Sequence, residues 1–227
     1  MDSLTGVVAR EVDSAQKAPG GGRRASDTRR RERTRRRLLD VAFTLIGHDR
    51  GRSLRIEEIC AEARISRGSF YNYFASIEAL FGALAYDLTH DFTLAVVAEM
   101  ARMGSAGEKA DVAMRHYLDR ATRDPQWGWA MVNIGATGPL FGAETHASAL
   151  KTVSEGIAAG EFLLSDARVG RDMVLGTCHA ALITQLREGS AATQPRMISR
   201  AVLRGLGVPA ERIELIVTRP LRQLDIG

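Results

Sequence analysis

Residues 56–74 read Ile56-Glu57-Glu58-Ile59-Cys60-Ala61-Glu62-Ala63-Arg64-Ile65-Ser66-Arg67-Gly68-Ser69-Phe70-Tyr71-Asn72-Tyr73-Phe74. Ile56, Ile59, Cys60 and Ala63 recur at helical spacing and form the inner face of a first short helix, Arg55–Ala63. The small Cys60 and Ala63 let a second helix, Ser66–Tyr73, cross closely, and Ile65 plugs the turn. Ser66 is placed to cap that second helix, because its hydroxyl can accept a backbone N–H that the helix start leaves unbonded. Phe70 and Phe74, four apart, point inward. Arg67, Gly68, Ser69, Tyr71 and Asn72 are left facing out, while Tyr73 fits either side. The pattern predicts a helix-turn-helix whose outer face is small, hydrogen-bonding and cationic, as entry into a major groove requires. No acidic residue lies between Ser66 and Phe74.

Upstream, Leu38, Leu39, Ala42, Leu45 and Ile46 form one apolar stripe of a helix starting near Thr28, which Gly47–Ser53 breaks. Residues 23–37 hold nine Arg against Asp27 and Glu32, a net of +7, so the rest of a chain of total charge +4 carries −3. Such a block suits an anionic polymer or membrane surface, and equally a solvated tail. Residues 1–25 read as unstructured, ending in the flexible Pro19-Gly20-Gly21-Gly22.

Downstream, a long helix runs from Ser76 to about Met100, followed by helical stretches at 107–123, 125–136, 139–159, 167–188, 195–206 and 209–217. Pro125, Pro139, Pro195 and Pro209 sit near their starts, and Gly160, Gly189 and Gly207 near their ends. Strand-type alternation is scarce. The expectation is an all-α protein of nine or ten helices. Its domains are a tail (1–25), a three-helix DNA-binding domain (26–75) and a helical ligand-binding and dimerisation domain (76–227).

The 227 residues suffice for a sizeable core, and 45% apolar with 26% charged residues is ordinary for a globular chain. No run of about 18 apolar residues suggests a membrane span. Met1–Gly22 lacks an apolar signal core, and the two cysteines, Cys60 and Cys178, imply neither a disulfide framework nor a zinc cluster; a cytoplasmic protein without metal or cofactor is expected.

From Arg36 to Phe81 the chain resembles the N-terminal domain of TetR-family transcriptional regulators. The matching residues are Arg37-Leu38-Leu39-Asp40-Val41-Ala42, Ile56–Ala63, the block Ile65–Phe74, and Ser76 with Glu78-Ala79-Leu80. Three positions depart from the family's habit: Arg64 stands where Gly is usual, Ala75 where Pro is frequent, and Ile77 where a Lys often touches phosphate. The resemblance implies that Ser66–Tyr73 is the recognition helix. Arg67 can take a guanine edge with two parallel hydrogen bonds or clamp a phosphate. Ser69 and Asn72 read bases or backbone, Tyr71 meets a phosphate or a thymine methyl, and Gly68 permits close approach. Arg55, and more weakly Arg52, are phosphate contacts. Arg33 and Arg36 belong to the part of the basic tail on the first helix; the earlier arginines would reach a minor groove.

The same resemblance implies a homodimer on a double-stranded DNA operator, joined through helices near 167–188 and 195–206. Val169, Met173, Leu175, Gly176, Ala180, Ile183, Met197, Ala201 and Leu203 supply its apolar surface. The pocket candidates for a small apolar effector are His116, Tyr117, Trp127, Trp129, Met131, Phe141 and Cys178, with Met114, Met173, Asn133, His146 and His179 as further wall or polar groups. Core packing is the competing role for each aromatic. The reading is a repressor released from a palindromic operator by its effector; an activator, or a regulator without a small ligand, is the alternative. No phosphate-binding loop or hydrolase signature appears, so an enzyme is not expected. A polybasic membrane-surface protein would leave the Ser66–Phe74 block without a role.

Overall fold

In the computed structural model, residues 21–51 and 54–224 are described, and every regular element among them is a helix. The helices are α1 (Gly21–Ile46), α2 (Ile56–Ala63), α3 (Arg67–Tyr71), α4 (Ile77–Met100), α5 (Ala106–Arg123), α6 (Pro125–Gly135), α7 (Ala143–Ala158), α8 (Ala167–Glu188), α9 (Gln194–Gly205) and α10 (Ala210–Val217). The chain divides into two compact units, Met1–Arg36 and Arg37–Gly227. The segment expected to be tail, 1–25, lies outside the described residues up to residue 20; from Gly21 the backbone is helical, seven residues earlier than the apolar stripe indicated. Arginine is a good helix former, and Glu32 pairs with Arg35 one turn on (3.8 Å).

In the second unit the caps fall where polar side chains precede helical runs. Ser66, Ser76, Ser105 and Asp124 each accept the N–H three residues ahead, from Ser69, Ala79, Glu108 and Trp127. Pro125 opens α6 and Pro195 lies in the first turn of α9. Pro139 does not start α7. Residues 139–142 form a turn closed by Gly142 N–H to Pro139 O (3.0 Å), with Phe141 and Gly142 both left-handed (φ 59° and 84°), so the helix begins at Ala143.

α5 is the hub, packed against α4, α6, α7, α8, α9 and α10. It carries an internal ion pair, Arg115 with Asp111 (2.7 Å, both buried), and Asp111 also accepts the Ser199 hydroxyl of α9 (2.7 Å). Burying this pair is tolerable because each partner keeps further hydrogen bonds; Arg115 Nη1 donates to Arg219 O, which ties down the chain after α10. One buried cluster runs from Leu38, Ala42 and Ile46 through Ile59, Phe70 and Phe74 to Leu80 and Leu84 of α4 and on into α5 and α8. The boundary expected near residue 75 therefore lies within continuous packing. Asn133 of α6 donates to both Ile46 O (2.7 Å) and His48 O (2.9 Å), and Arg187 of α8 pairs with Asp49 (2.8 Å). No helix among the described residues is long and apolar enough to cross a membrane.

Candidate nucleic-acid interface and effector cavity

α2 buries Ile59, Cys60 and Ala63, and its last turn ends on Arg64 in the left-handed conformation (φ 52°, ψ 49°). An arginine there costs about 1 kcal/mol relative to glycine, which takes this geometry freely. The strain places the next N–H, of Ile65, on Cys60 O (3.0 Å) and turns the chain into Ser66. Ser66 Oγ accepts from Ser69 N–H (3.1 Å) and shares a hydrogen bond with the Ser69 hydroxyl (2.9 Å). Phe70 is fully buried, Phe74 nearly so, and the two rings lie 6.0 Å apart.

Arg67, Gly68, Tyr71 and Asn72 are exposed, Ser69 and Tyr73 half-buried. Tyr71, at 48% exposure, meets the Phe70 ring in a T-shaped arrangement (5.6 Å, 89°). Tyr73 packs against the core. The helix is shorter than expected: Asn72 follows its last residue in a turn, so its side chain leaves from the C-terminal end of α3. Arg55 precedes α2 in extended conformation with a side chain 77% exposed, while its N–H donates to Glu58 (2.8 Å). Arg52 lies outside the described residues. Ile77 opens α4 and packs against the core, and Ala75 is exposed. In the first unit Arg33 and Arg36 are exposed on α1. The side chains of Arg23 and Arg24 lie outside the described residues; the arginines from Arg29 to Arg31 are on a helix rather than on an extended arm.

One participant escaped the sequence reading. Glu57 of α2 pairs with Arg67 at 2.9 Å. The Tyr71 hydroxyl first, and Glu57 second, push the Arg67 pKa further up. The missed signal was an acid on the outer face of the supporting helix.

In the helical body, α4, α5, α7, α8 and Phe141 enclose a cavity of about 50 Å³, lined by Thr93, Val96, Val97, Met100, Ala110, Ala113, Met114, Tyr117, Phe141, Thr145, Ser148, Ala149, Thr152, Val153, Val174, Leu175 and Cys178. None of these carries a charge at neutral pH: burial pushes the Cys178 thiol up to about 12 and raises the Tyr117 phenol. The polar feature is a triangle of hydroxyls, with Tyr117 to Thr145 at 2.6 Å, Thr93 to Tyr117 at 3.0 Å and Thr93 to Thr145 at 3.2 Å.

Of the residues expected at a pocket, Tyr117, Phe141, Cys178 and Met114 line this cavity. Trp127, Trp129 and Met131 do not. Trp127 is fully buried behind the wall, its ring near those of Phe92 and Tyr117 and its N–H on Leu88 O (3.1 Å). Met131 is core. Trp129, two residues from Trp127 and so about 200° round the helix, lies half-buried under the Arg187 guanidinium (5.8 Å). His116 lines a separate open cleft. Asn133 is committed to the Ile46 and His48 carbonyls. Among the described residues no group of three or more His, Cys, Asp or Glu could hold a metal ion.

On α8 and α9, Val169 (52%) and Met197 (59%) are exposed, as are Ala180 and Ala201, with Met173, Gly176 and Ile183 half-buried. Leu175 and Leu203, expected on this outer face, are instead buried, Leu175 in the cavity wall.

Residues 38–84 match a family model described as bacterial regulatory proteins, tetR family, and residues 107–219 one described as tetracyclin repressor-like, C-terminal domain. Among solved structures, RolR in complex with resorcinol superposes with a TM-score of 0.68 at 28% identity, over 87% of this chain and 100% of RolR. FadR from Bacillus subtilis in complex with stearoyl-CoA (TM-score 0.57, 18% identity, 77% of this chain and 98% of FadR) and a putative regulator from Shewanella (0.59, 19%, 75% and 95%) share the fold. A comparison with curated proteins gives no match.

Proposed function

The chain belongs to the TetR family of DNA-binding transcription regulators, and from that premise we propose that it is a homodimeric repressor of a palindromic operator, released by a small, uncharged, largely apolar effector. The reading is carried by the continuity of α4. Its first turns share the buried cluster of the helix-turn-helix through Leu80 and Leu84, and its later turns supply Thr93, Val96, Val97 and Met100 to the cavity. A molecule that wedges the cavity open bears on the same rod that seats the reading head.

The outward set Arg67, Gly68, Ser69, Tyr71, Asn72 and Tyr73 supports groove contact, with Arg55 on a flanking phosphate; the first unit, by itself, exposes basic Arg33 and Arg36. A single helix this short reads too few base pairs, which supports a dimer; Val169, Met197, Ala180 and Ala201 offer α8 and α9 a common apolar face. The uncharged wall supports a neutral effector, since an unpaired charge buried there would cost several kcal/mol. One polar group on that effector would meet the hydroxyl triangle, and resorcinol, the ligand of the 28% identical RolR, has this chemistry. Release requires that the effector bind the DNA-incompetent arrangement more tightly than the competent one.

Selection of bound duplexes from a random pool tests the reading. An inverted repeat with half-sites roughly 34 Å apart is expected. Addition of neutral monocyclic phenols, resorcinol first, should then dissociate the complex in a gel shift. A single asymmetric site would overturn the dimer, and indifference to every neutral aromatic would overturn the effector.

A further inference from the structure

Beside the cavity, and sharing none of its lining, lies an open cleft of about 640 Å³ between α4, α5 and the chain that follows α10. Its wall holds an arginine that makes no ion pair among the described residues, with Asp124 one turn on acting on it through space. Arg120 is half-buried, lies over the rings of Phe92 (4.6 Å) and Trp127 (4.7 Å), and its guanidinium makes no hydrogen bond or ion pair among the described residues. The rings cover its flat surface, so its remaining capacity is the N–H edge, which matches a carboxylate. One turn earlier on the same face is His116, 4% exposed, whose Nε2 has no hydrogen-bond partner among the described residues.

The rest of the wall sets the charge and shape of the occupant. Arg123 is engaged by Asp119 (2.8 Å), and Asp124 accepts the Trp127 N–H. Arg222, exposed, makes no ion pair among the described residues. Three arginines against two aspartates leave one positive charge on the lining. Leu221, Leu224 and Phe92 give it an apolar side. We propose that this cleft is a second ligand site, separate from the effector cavity, that takes a monocarboxylate with an apolar body, the carboxylate on Arg120 and His116 and the body against Phe92, Leu221 and Leu224. A dianion such as phosphate would overshoot the single positive charge and leave the apolar wall uncovered. Burial lowers the Arg120 pKa, with Asp124 and Tyr117 opposing.

Isothermal titration of the full-length protein decides the matter, with benzoate and octanoate as probes, benzyl alcohol as the uncharged counterpart and inorganic phosphate as the competing anion. At least one carboxylate should bind ten-fold or more tightly than either control. Arg120→Gln should weaken it at least ten-fold, and Arg222→Gln, on an exposed side chain with no ion pair among the described residues, about three-fold. Ala149→Phe, which fills the separate cavity, should leave it unchanged. Silence from both carboxylates, preference for phosphate, loss in Ala149→Phe, or wild-type affinity in either arginine variant would overturn the site.

Discussion

The helix-turn-helix and the helical body solve opposite problems with the same element. In α3 the candidate groups point away from the protein, and Phe70 and Phe74 hold the five-residue helix down. In the body the candidate site is a space, and the residues around it, Val96, Val153, Val174 and their neighbours, are chemically the same as those that fill the core. A protruding site is specified by what breaks the apolar pattern. An enclosed one is specified by what fails to fill it, and no single residue announces that.

The contrast can be broken first at the head's anchor. Phe70→Ala removes a fully buried ring and should cost about 3–5 kcal/mol in denaturant unfolding, with operator binding lost only because the head unfolds. The body has its own lever in pH. Burial, reinforced by Arg115 and Arg123 and opposed by Asp119, pulls His116 down from its ordinary 6.5 to about 4. The unfolded chain then binds the proton that the folded one refuses, so stability is intact above pH 6.5 and declines as pH falls toward 4, by on the order of 2–3 kcal/mol. The difference between wild type and His116→Gln in unfolding titrations at pH 7 and pH 4.5 isolates that share. Arg67→Ala sharpens the comparison from the outside: operator affinity should drop ten-fold or more with the melting temperature unmoved. Thr145→Val does so from within, weakening a phenolic effector about five-fold in a release assay while operator affinity stays put. Smallest is Arg64→Gly, which relieves a left-handed arginine and should raise unfolding stability by up to about 1 kcal/mol.

The head was legible because its physics is local. Ser66 as a cap and Phe70 and Phe74 as anchors follow from spacing within nineteen residues, whereas Arg64 stood out only against the glycine usual in the family. The helices of the body were legible for similar reasons, through prolines, glycines and caps. The cavity was only partly so. Tyr117, Phe141 and Cys178 were found because they are large or polarisable. The small Thr145, Ala149 and Thr152, which line α7 at four- and three-residue spacing, look like any surface helix until α8 is placed against them. Trp127 was the natural error: bulk suggested a wall, yet a tryptophan with its N–H satisfied by Leu88 is filling, not lining. Glu57 was invisible because its meaning depends on a crossing angle between two helices.

A guanidinium that already has a carboxylate must exchange partners, not acquire one. On the proposed reading, the Arg67–Glu57 pair is the contact that DNA has to replace, the protein's own acid serving as a stand-in. Each random duplex has to outbid that stand-in, and most offer only diffuse negative charge. A guanine edge, one of the two partners open to Arg67, would give two acceptors in one plane. Fidelity here would grow from restraint: the arginine stays home unless the groove presents something better, and the ionic-strength dependence of binding should be shallower than a count of its basic contacts suggests.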